Sequence, residues 1–187
     1  MRDLHRDMNT LYHAAMLSFF QVMDDFIAVH LTPHSPAFRL FFTRLTHFAG
    51  IYFISVFGTF LIVLFAITGF YEFAYGLAVA LGGSSIVSLV LKRFFMRERP
   101  ALPLVVQDGH SLPSGHAACS LALYGYLSYL LMKLWPSPLF LVVVLIFTCM
   151  VLAIGFSRVY LRVHHTSDVL LGYFIGAVFL ALAIALF

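Results

Sequence analysis

Charged side chains are scarce in this sequence. Asp, Glu, Lys and Arg make up 10% of its 187 residues, whereas soluble globular domains hold about 25%. Five stretches contain none of these four residue types, and each is long enough to cross a hydrocarbon core about 30 Å thick as a helix. They cover residues 47–70, 73–91, 115–132, 139–156 and 169–187. This pattern excludes a soluble protein, and we predict an all-α, polytopic transmembrane helix bundle.

The chain also lacks a low-complexity linker and a long internal repeat, so we predict one membrane-embedded domain over residues 1–187. Residues 1–37 form the least regular part of it. The apolar stretch 11–23 carries polar residues such as His13 and Gln21 and runs directly into Asp24. We therefore predict an interfacial or tilted helix in this N-terminal region, and no clean span.

Two further absences concern processing and redox chemistry. Arg2 and Arg6 precede an apolar run, but acidic residues interrupt the charge and no small-x-small cleavage site follows, so we expect no cleaved signal peptide. The two cysteines, Cys119 and Cys149, both lie in apolar stretches, where they behave as small hydrophobes and indicate nothing about the redox compartment. The last apolar stretch ends on Phe187 itself, which leaves room for a further helix or tail.

The basic residues concentrate at one membrane face. Short connections at 71–72 and 133–137 turn the chain on one side, so the longer loops 92–114 and 157–168 share the other. If the first span also starts there, that face collects 8 of the 11 basic residues. These are Arg39, Arg44, Lys92, Arg93, Arg97, Arg99, Arg158 and Arg162. Cytoplasmic retention of positive loops or snorkelling to headgroups explains the charge count equally well, but not the two histidines, the aspartate and the Ser-Gly turn in the same layer.

Such a layer suits phosphate chemistry. A phosphate ester repels nucleophiles, so a metal-free hydrolase needs fixed cations around the phosphoryl oxygens and an uncharged nucleophile. Lys92, Arg99 and Arg158 can supply the cations, since the planar fork of Arg binds phosphate through two hydrogen bonds and Lys acts as a mobile point charge. Pro100 disfavours helix at Arg99, which would place Arg99 at the mouth of the site.

The sequence Pro113-Ser114-Gly115-His116 precedes a long apolar stretch. Backbone N–H groups at the start of a helix bind anions, and a glycine lets a ligand approach closely. Taken alone, the same residues are more typical of a plain helix start with Ser114 as the cap. His116 directly after the turn favours the interpretation as an anion cradle next to an acid–base group.

A second pair of residues, His164 and Asp168, lies four positions apart at the start of the last apolar stretch. That spacing lets the carboxylate accept the N–H of one ring nitrogen, which leaves the other nitrogen free to attack phosphorus. Histidine suits both nucleophilic and acid roles because its ordinary pKa is about 6.5. The alternative is that Asp168 only caps the last helix and that His164 is an interfacial residue.

Three ordered motifs carry a resemblance to a known family. They are Lys92 followed after six residues by Arg99-Pro100, then Pro113-Ser114-Gly115-His116, then Ser157-Arg158 followed after five residues by His164 and after three more by Asp168. The chain resembles the type 2 phosphatidic acid phosphatase family of membrane lipid phosphatases, whose catalytic core is shared with vanadium haloperoxidases. The resemblance spans residues 38–187, the predicted catalytic core, and three ordered matches are far more specific than one short motif.

The resemblance implies a role for each matching residue. His164 would attack phosphorus and form a phosphohistidine, Asp168 would orient it, and His116 would protonate the leaving oxygen and then activate water. The phosphoryl oxygens would be held by Lys92, Arg99, Ser114, Gly115 and Arg158. It implies no metal and no other cofactor.

The motifs recognise phosphate and do not identify what is attached to it. The membrane setting favours a lipid, such as undecaprenyl pyrophosphate, phosphatidylglycerophosphate, phosphatidic acid or a lipid A phosphate. We expect the bilayer and a membrane lipid phosphate as partners, and no nucleic acid; the sequence indicates no oligomeric state. A lipid phosphotransferase and a non-catalytic lipid-binding or transport protein are the alternatives. A vanadate-dependent peroxidase and a metal hydrolase are disfavoured.

The N-terminus departs from the family, because bacterial members commonly begin with a full spanning helix. The orientation rests on the family, which places the site at the outer, periplasmic face of the bacterial inner membrane. The basic count alone would place it inside. If Lys92, Arg99 and Arg158 are left out as catalytic residues, five basic residues remain on this face and three lie elsewhere. This small difference does not determine the orientation.

Overall fold

The computed structural model describes residues 35–187, together with residues 22 and 24. The chain divides into two units, residues 1–32 and 33–187, and everything below concerns the second. The helix predicted within residues 11–23 lies outside the described residues. The single domain and its division at residues 37 and 38 stay predictions.

Six α-helices and one short 3-10 helix make up the second unit, and no strand occurs within residues 35–187. They are Pro36–Thr46 (α1), the 3-10 helix His47–Ala49, Ile51–Ile67 (α2), Tyr71–Phe95 (α3), Gly115–Leu134 (α4), Leu139–Tyr160 (α5) and Thr166–Leu186 (α6). Within the described part, five helical stretches are long and apolar enough to cross a membrane, with α1 and α2 counted as one. The prediction of an all-α bundle with five spanning stretches is confirmed.

Three predicted boundaries were wrong. The first helical stretch begins at Pro36, well before residue 47, and Gly50 in an extended conformation separates its two parts. Helices α3 and α5 continue to Phe95 and Tyr160, so Lys92 and Arg158 lie on helices and not in loops. Hydropathy detects only the part of a helix in contact with hydrocarbon. Lys, Arg and Ser tolerate helical conformation, so the helices extend into the polar layer.

The helices differ in how they meet lipid. Helix α6 packs against α4 and α3, and α4 also packs against α5, so α4 lies at the centre of the bundle. Leu77, Ala122 and Ile154, from α3, α4 and α5, are completely buried there. Large apolar side chains of α2 and α5 are exposed instead, among them Tyr52 and Leu139. An apolar exterior of this kind is stable only against lipid.

Two glycines set the distance between α4 and α6. A Cβ added at Gly172 would lie 2.5 Å from the backbone oxygen of Ser114, and one added at Gly176 would lie 2.5 Å from that of Ala118. Both separations are far below van der Waals contact, so the helix backbones touch at these points. Small residues are the usual means of close helix packing in membranes. Gly172 and Gly176 therefore allow α4 and α6 to pack closely.

We expect Gly176→Ala to destabilise the bundle by about 1–3 kcal/mol, because α4 and α6 must separate to admit the methyl group. Thermal unfolding in detergent measures this as a lower midpoint. Gly82→Ala is the matched control, since a Cβ at Gly82 meets no atom within 4 Å and Ala is the better helix former. Equal midpoints for the two variants would contradict the backbone contact.

Candidate active site

Four helix ends meet at one face of the bundle. Lys92 lies in the last turn of α3, His116 is the second residue of α4, Arg158 lies in the last turn of α5 and Asp168 is the third residue of α6. The Ser114 N–H donates a hydrogen bond to the backbone oxygen of Asp168 at 2.9 Å, which ties the starts of α4 and α6 together. All three sequence motifs therefore converge on one polar layer.

His164 lies in the short connection between α5 and α6 and is only 3% exposed. Its Nδ1 is 3.5 Å from Asp168 Oδ2, a long contact, and has no aligned hydrogen-bond partner within the described part of the chain. Its Nε2 lies 3.5 Å from Arg99 Nη1. The imidazole is thus placed between a carboxylate on one side and a guanidinium on the other.

This environment keeps the imidazole of His164 neutral. Burial lowers its pKa to about 4, and the nearby Arg158 and Lys92 act in the same direction, while Asp168 acts against them. A buried imidazole surrounded by cations disfavours its own positive charge. At neutral pH, His164 therefore has a free electron pair on one ring nitrogen.

Asp168 is completely buried and uses both carboxylate oxygens. Oδ2 accepts the backbone N–H of His165 at 2.8 Å, and Oδ1 accepts a hydrogen bond from Arg97 Nη1 at 2.8 Å. The His165 side chain in turn accepts the backbone N–H of Asp168, so the two residues form a capping box at the start of α6. Asp168 is both a helix cap and a neighbour of His164, so the two interpretations of the sequence are compatible.

Arg158 is a buried arginine, 2% exposed, at the end of α5. Its Nη1 donates to Thr46 Oγ1 at 2.8 Å, and its Nη2 donates to Gln107 Oε1. Its Nε–H is buried and has no hydrogen-bond partner among the residues that the structure describes. Buried donors are rarely left unpaired in folded proteins, so this N–H is suited to an anion that enters the site.

The other two cations both contact a short loop segment, residues 108–111. Lys92 Nζ donates to the backbone oxygen of His110 at 2.8 Å. Arg99 donates to three backbone oxygens of the segment and to Val163 O at 2.6 Å. The three are Asp108 O at 2.9 Å, Gly109 O at 2.8 Å and His110 O at 3.3 Å. Partial burial lowers the pKa of Arg99 below its ordinary value, while Asp168 and Asp108 raise it.

The start of α4 lies beside this group. Ser114 is completely buried and caps the helix, since its Oγ accepts the Ala117 N–H at 3.5 Å. A Cβ added at Gly115 would meet no atom within 4 Å, so there is open space in front of this residue. His116 interacts electrostatically with four nearby residues: Arg158, His164, Lys92 and Arg99. All eight predicted site residues thus lie in one layer, while their roles stay predictions.

Three residues of this layer were missed in the sequence. Arg97 was counted only as a basic residue, although it pairs with Asp168. Thr46 and Gln107, the partners of Arg158, lie far from it in the chain. Arg97 could have been considered because it stands two residues before Arg99, but neither Thr46 nor Gln107 carries a sequence signal. Within the described part, no three His, Cys, Asp or Glu side chains are grouped to hold a metal ion.

The fold and the site together define a class: an integral membrane helix bundle with a buried imidazole, a carboxylate and several cations at one polar end. A family model supports a more specific identification. The model of the PAP2 superfamily matches residues 73–187. The chain belongs to this superfamily, in agreement with the resemblance carried by the three motifs.

Individual relatives agree with this assignment. The chain is 36% identical over 128 residues to phosphatidylglycerophosphatase B of Bacillus subtilis strain 168, and the match spans 63% of each chain. A crystal structure of a transmembrane PAP2-type phosphatidylglycerolphosphate phosphatase from Bacillus subtilis matches with a TM-score of 0.80 and 26% identity, over 92% of this chain and 94% of that one. LpxE of Aquifex aeolicus shares the fold, with a TM-score of 0.63 and 22% identity over 90% and 94% of the two chains.

Proposed function

We propose that this protein is a membrane lipid phosphatase that uses His164 as its nucleophile, forms a phosphohistidine and needs no metal. The observation that carries the proposal is the setting of His164. Its ring is buried, Asp168 lies 3.5 Å from one nitrogen, and Arg99 lies 3.5 Å from the other. A neutral imidazole between an orienting carboxylate and a phosphate-binding cation is equipped for attack on a phosphoryl group.

In the first step, the electron pair on His164 Nε2 forms a bond to phosphorus, and the bond between phosphorus and the lipid oxygen breaks. Asp168 stabilises the positive charge that develops on the ring. Lys92, Arg99 and Arg158 bind the phosphoryl oxygens, helped by the N–H groups at Ser114 and Gly115. His116 gives its proton to the leaving oxygen, so the dephosphorylated lipid departs as an alcohol or, from a pyrophosphate, as a monophosphate.

The second step releases phosphate. His116, now neutral, takes a proton from a water molecule, and the water oxygen attacks phosphorus. The bond between phosphorus and His164 Nε2 breaks, and inorganic phosphate leaves. Both histidines then return to their starting protonation states, so the reaction consumes one water and balances without a cofactor.

The substrate is proposed from the setting and from the relatives. A polar layer at the ends of spanning helices can hold a headgroup while the tails of the lipid remain among apolar side chains. The relative that is 36% identical is named a phosphatidylglycerophosphatase, so phosphatidylglycerophosphate is our first candidate. Phosphatidic acid, undecaprenyl pyrophosphate and lipid A phosphates have the same reacting group.

A phosphate-release screen of the purified protein in detergent tests this function. Its substrates are phosphatidylglycerophosphate, phosphatidic acid, undecaprenyl pyrophosphate and a water-soluble phosphate ester. We expect release from at least one lipid, highest for phosphatidylglycerophosphate and unchanged by chelator. Labelled phosphate found on an acceptor lipid would instead identify a phosphotransferase, and binding without any turnover would indicate a transport or binding protein.

The pH dependence follows from the low pKa of His164, about 4. The nucleophile must be neutral, so its reactive form predominates above that pH and is lost as the pH falls through it. We expect kcat/KM to stay constant as the pH falls from neutrality and to decrease only near pH 4, well below the ordinary pKa of histidine. Titration of the labelled ring by NMR provides an independent check, and a ring that titrates near pH 6.5 would contradict the burial argument.

We also propose that the protein resides in the bacterial inner membrane with this layer at the periplasmic face. The family resemblance supports this orientation. The glycine at position 109 is exposed in the loop beside the site. A cysteine placed there therefore shows on which side of the membrane this loop lies. Reaction of Gly109→Cys with a membrane-impermeant maleimide in intact cells supports the periplasmic face, and protection until the cells are opened contradicts it.

A further inference from the structure

We propose that Arg97 is a positioning residue, which holds the carboxylate of Asp168 in the orientation that directs His164. This proposal rests on the proposed function, because it concerns the same nucleophile. Arg97 Nη1 lies 2.8 Å from Asp168 Oδ1 and 2.7 Å from Ser167 Oγ. Neither the three sequence motifs nor the phosphate-binding group includes this arginine.

The contacts of Asp168 show why a positioning residue is needed. Its carboxylate is completely buried, whereas the Arg97 side chain is 17% exposed. A buried carboxylate without a cation is strongly disfavoured. The backbone N–H of His165 fixes Oδ2 from one side at 2.8 Å, and Arg97 fixes Oδ1 from the other. With both oxygens held, the carboxylate cannot rotate, and Oδ2 stays beside His164 Nδ1.

The contact to His164 is the loosest of the three. At 3.5 Å it is longer than an ordinary hydrogen bond, so it is the contact most sensitive to a rotation of the carboxylate. Loss of the Arg97 contact releases Oδ1 and leaves only the His165 N–H to hold the group. Arg97 therefore acts on the imidazole through Asp168, and no contact of its own with the ring is required.

Arg97 also reduces the electrostatic effect of the Asp168 carboxylate on the imidazole of His164. The charged and titratable groups around the His164 ring come from every neighbouring element: Lys92 from α3, Arg99 from the following loop, His116 from α4, Arg158 from α5 and Asp168 from α6. Asp168 is the one negative group among them. Paired with Arg97, it is partly neutralised, and unpaired it would favour a protonated ring.

The test is Arg97→Gln, with steady-state kinetics measured as a function of pH in detergent. We expect kcat to fall about 100-fold, as for a misplaced catalytic group, with KM changed less than about 3-fold because Arg97 does not bind phosphate. We also expect the acid limb of kcat/KM to move upward by roughly one pH unit. The lysine variant Arg97→Lys keeps the charge and should retain the original limb.

Arg93→Gln is the matched control, because Arg93 lies on the same stretch of chain and is exposed. Inhibition by vanadate, a phosphate analogue, should be unchanged in every variant. A raised KM with weaker vanadate inhibition would overturn the proposal in favour of a phosphate ligand. An unmoved acid limb in Arg97→Gln would overturn it too, in favour of a merely structural contact.

Two results keep this test separate from the proposed function. If Arg97→Gln does not fold, Arg97→Lys decides the matter: a lower kcat at unchanged KM supports positioning, and an unchanged kcat contradicts it. Failure of the proposed function itself is recognised in a different variant, His164→Ala, by turnover that survives loss of the His164 side chain.

Discussion

His164→Ala is expected to lose at least about 10⁴-fold in phosphate release from every lipid substrate, as other enzymes do when their nucleophile is removed. The reason is that no bond from the protein to phosphorus can then form. The cations that hold the phosphoryl group remain in place, so lipid binding should persist. Phosphate release and lipid binding measured on the same detergent preparation check both halves of the expectation.

The control for this substitution is His47→Ala. His47 is an exposed histidine in the 3-10 helix before α2. Its loss should leave turnover unchanged. A second check uses an alkaline denaturing quench of the unmodified protein with labelled lipid, where a base-stable, acid-labile phosphoprotein is expected and should be missing in His164→Ala. Turnover by His164→Ala at the rate of the unmodified protein would refute the assignment of the nucleophile.

Arg158→Lys is expected to lower kcat/KM by about 10²–10³-fold, the usual cost of removing one preorganised transition-state contact. The substitution keeps the charge but removes the planar guanidinium, which contacts Thr46 and Gln107 at once. It also removes the buried Nε–H, which has no partner in residues 35–187. A lysine in this buried position can serve only one of these partners at a time. Lipid turnover and thermal stability should both be measured.

The matched control is Arg162→Lys in the neighbouring loop. Arg162 adopts a left-handed conformation, and both Arg and Lys meet the same backbone cost there, so the comparison isolates the fork of Arg158. We expect Arg162→Lys to retain full activity. If the two lysine variants behaved alike, charge alone would account for the role of Arg158.

The fold was largely predictable because hydrophobicity is a local property. Each of the five stretches without Asp, Glu, Lys or Arg coincides over most of its length with one of the five helical stretches that are long and apolar enough to span a membrane. Their ends were less predictable. Arg158 belongs to α5 because a helix that enters a buried polar layer tolerates an arginine whose side chain has partners inside the protein. The hydropathy of the neighbouring residues does not reveal those partners.

The site was predictable to the level of the motifs and no further. Spacing placed His164 and Asp168 within reach of each other, and the structure puts them 3.5 Å apart. The partners of Arg158 depend instead on tertiary packing, since Thr46 is 112 positions away in the chain. The pairing of Arg97 with Asp168 arises in the same way, from a loop that folds back over the start of α6.

Backbone oxygens of residues 108–111 already accept hydrogen bonds from Lys92 and Arg99 before any lipid arrives. An incoming phosphoryl group must therefore exchange places with these backbone oxygens, and each hydrogen bond it gains from Lys92 or Arg99 is offset in part by one that the loop gives up. Its intrinsic affinity is then small, and the acyl or prenyl tails serve to keep the lipid in the bilayer beside the site, without a further hydrophobic gain on binding. Short water-soluble phosphate esters would therefore dissociate quickly, and the inorganic phosphate product would leave without slowing the next turnover.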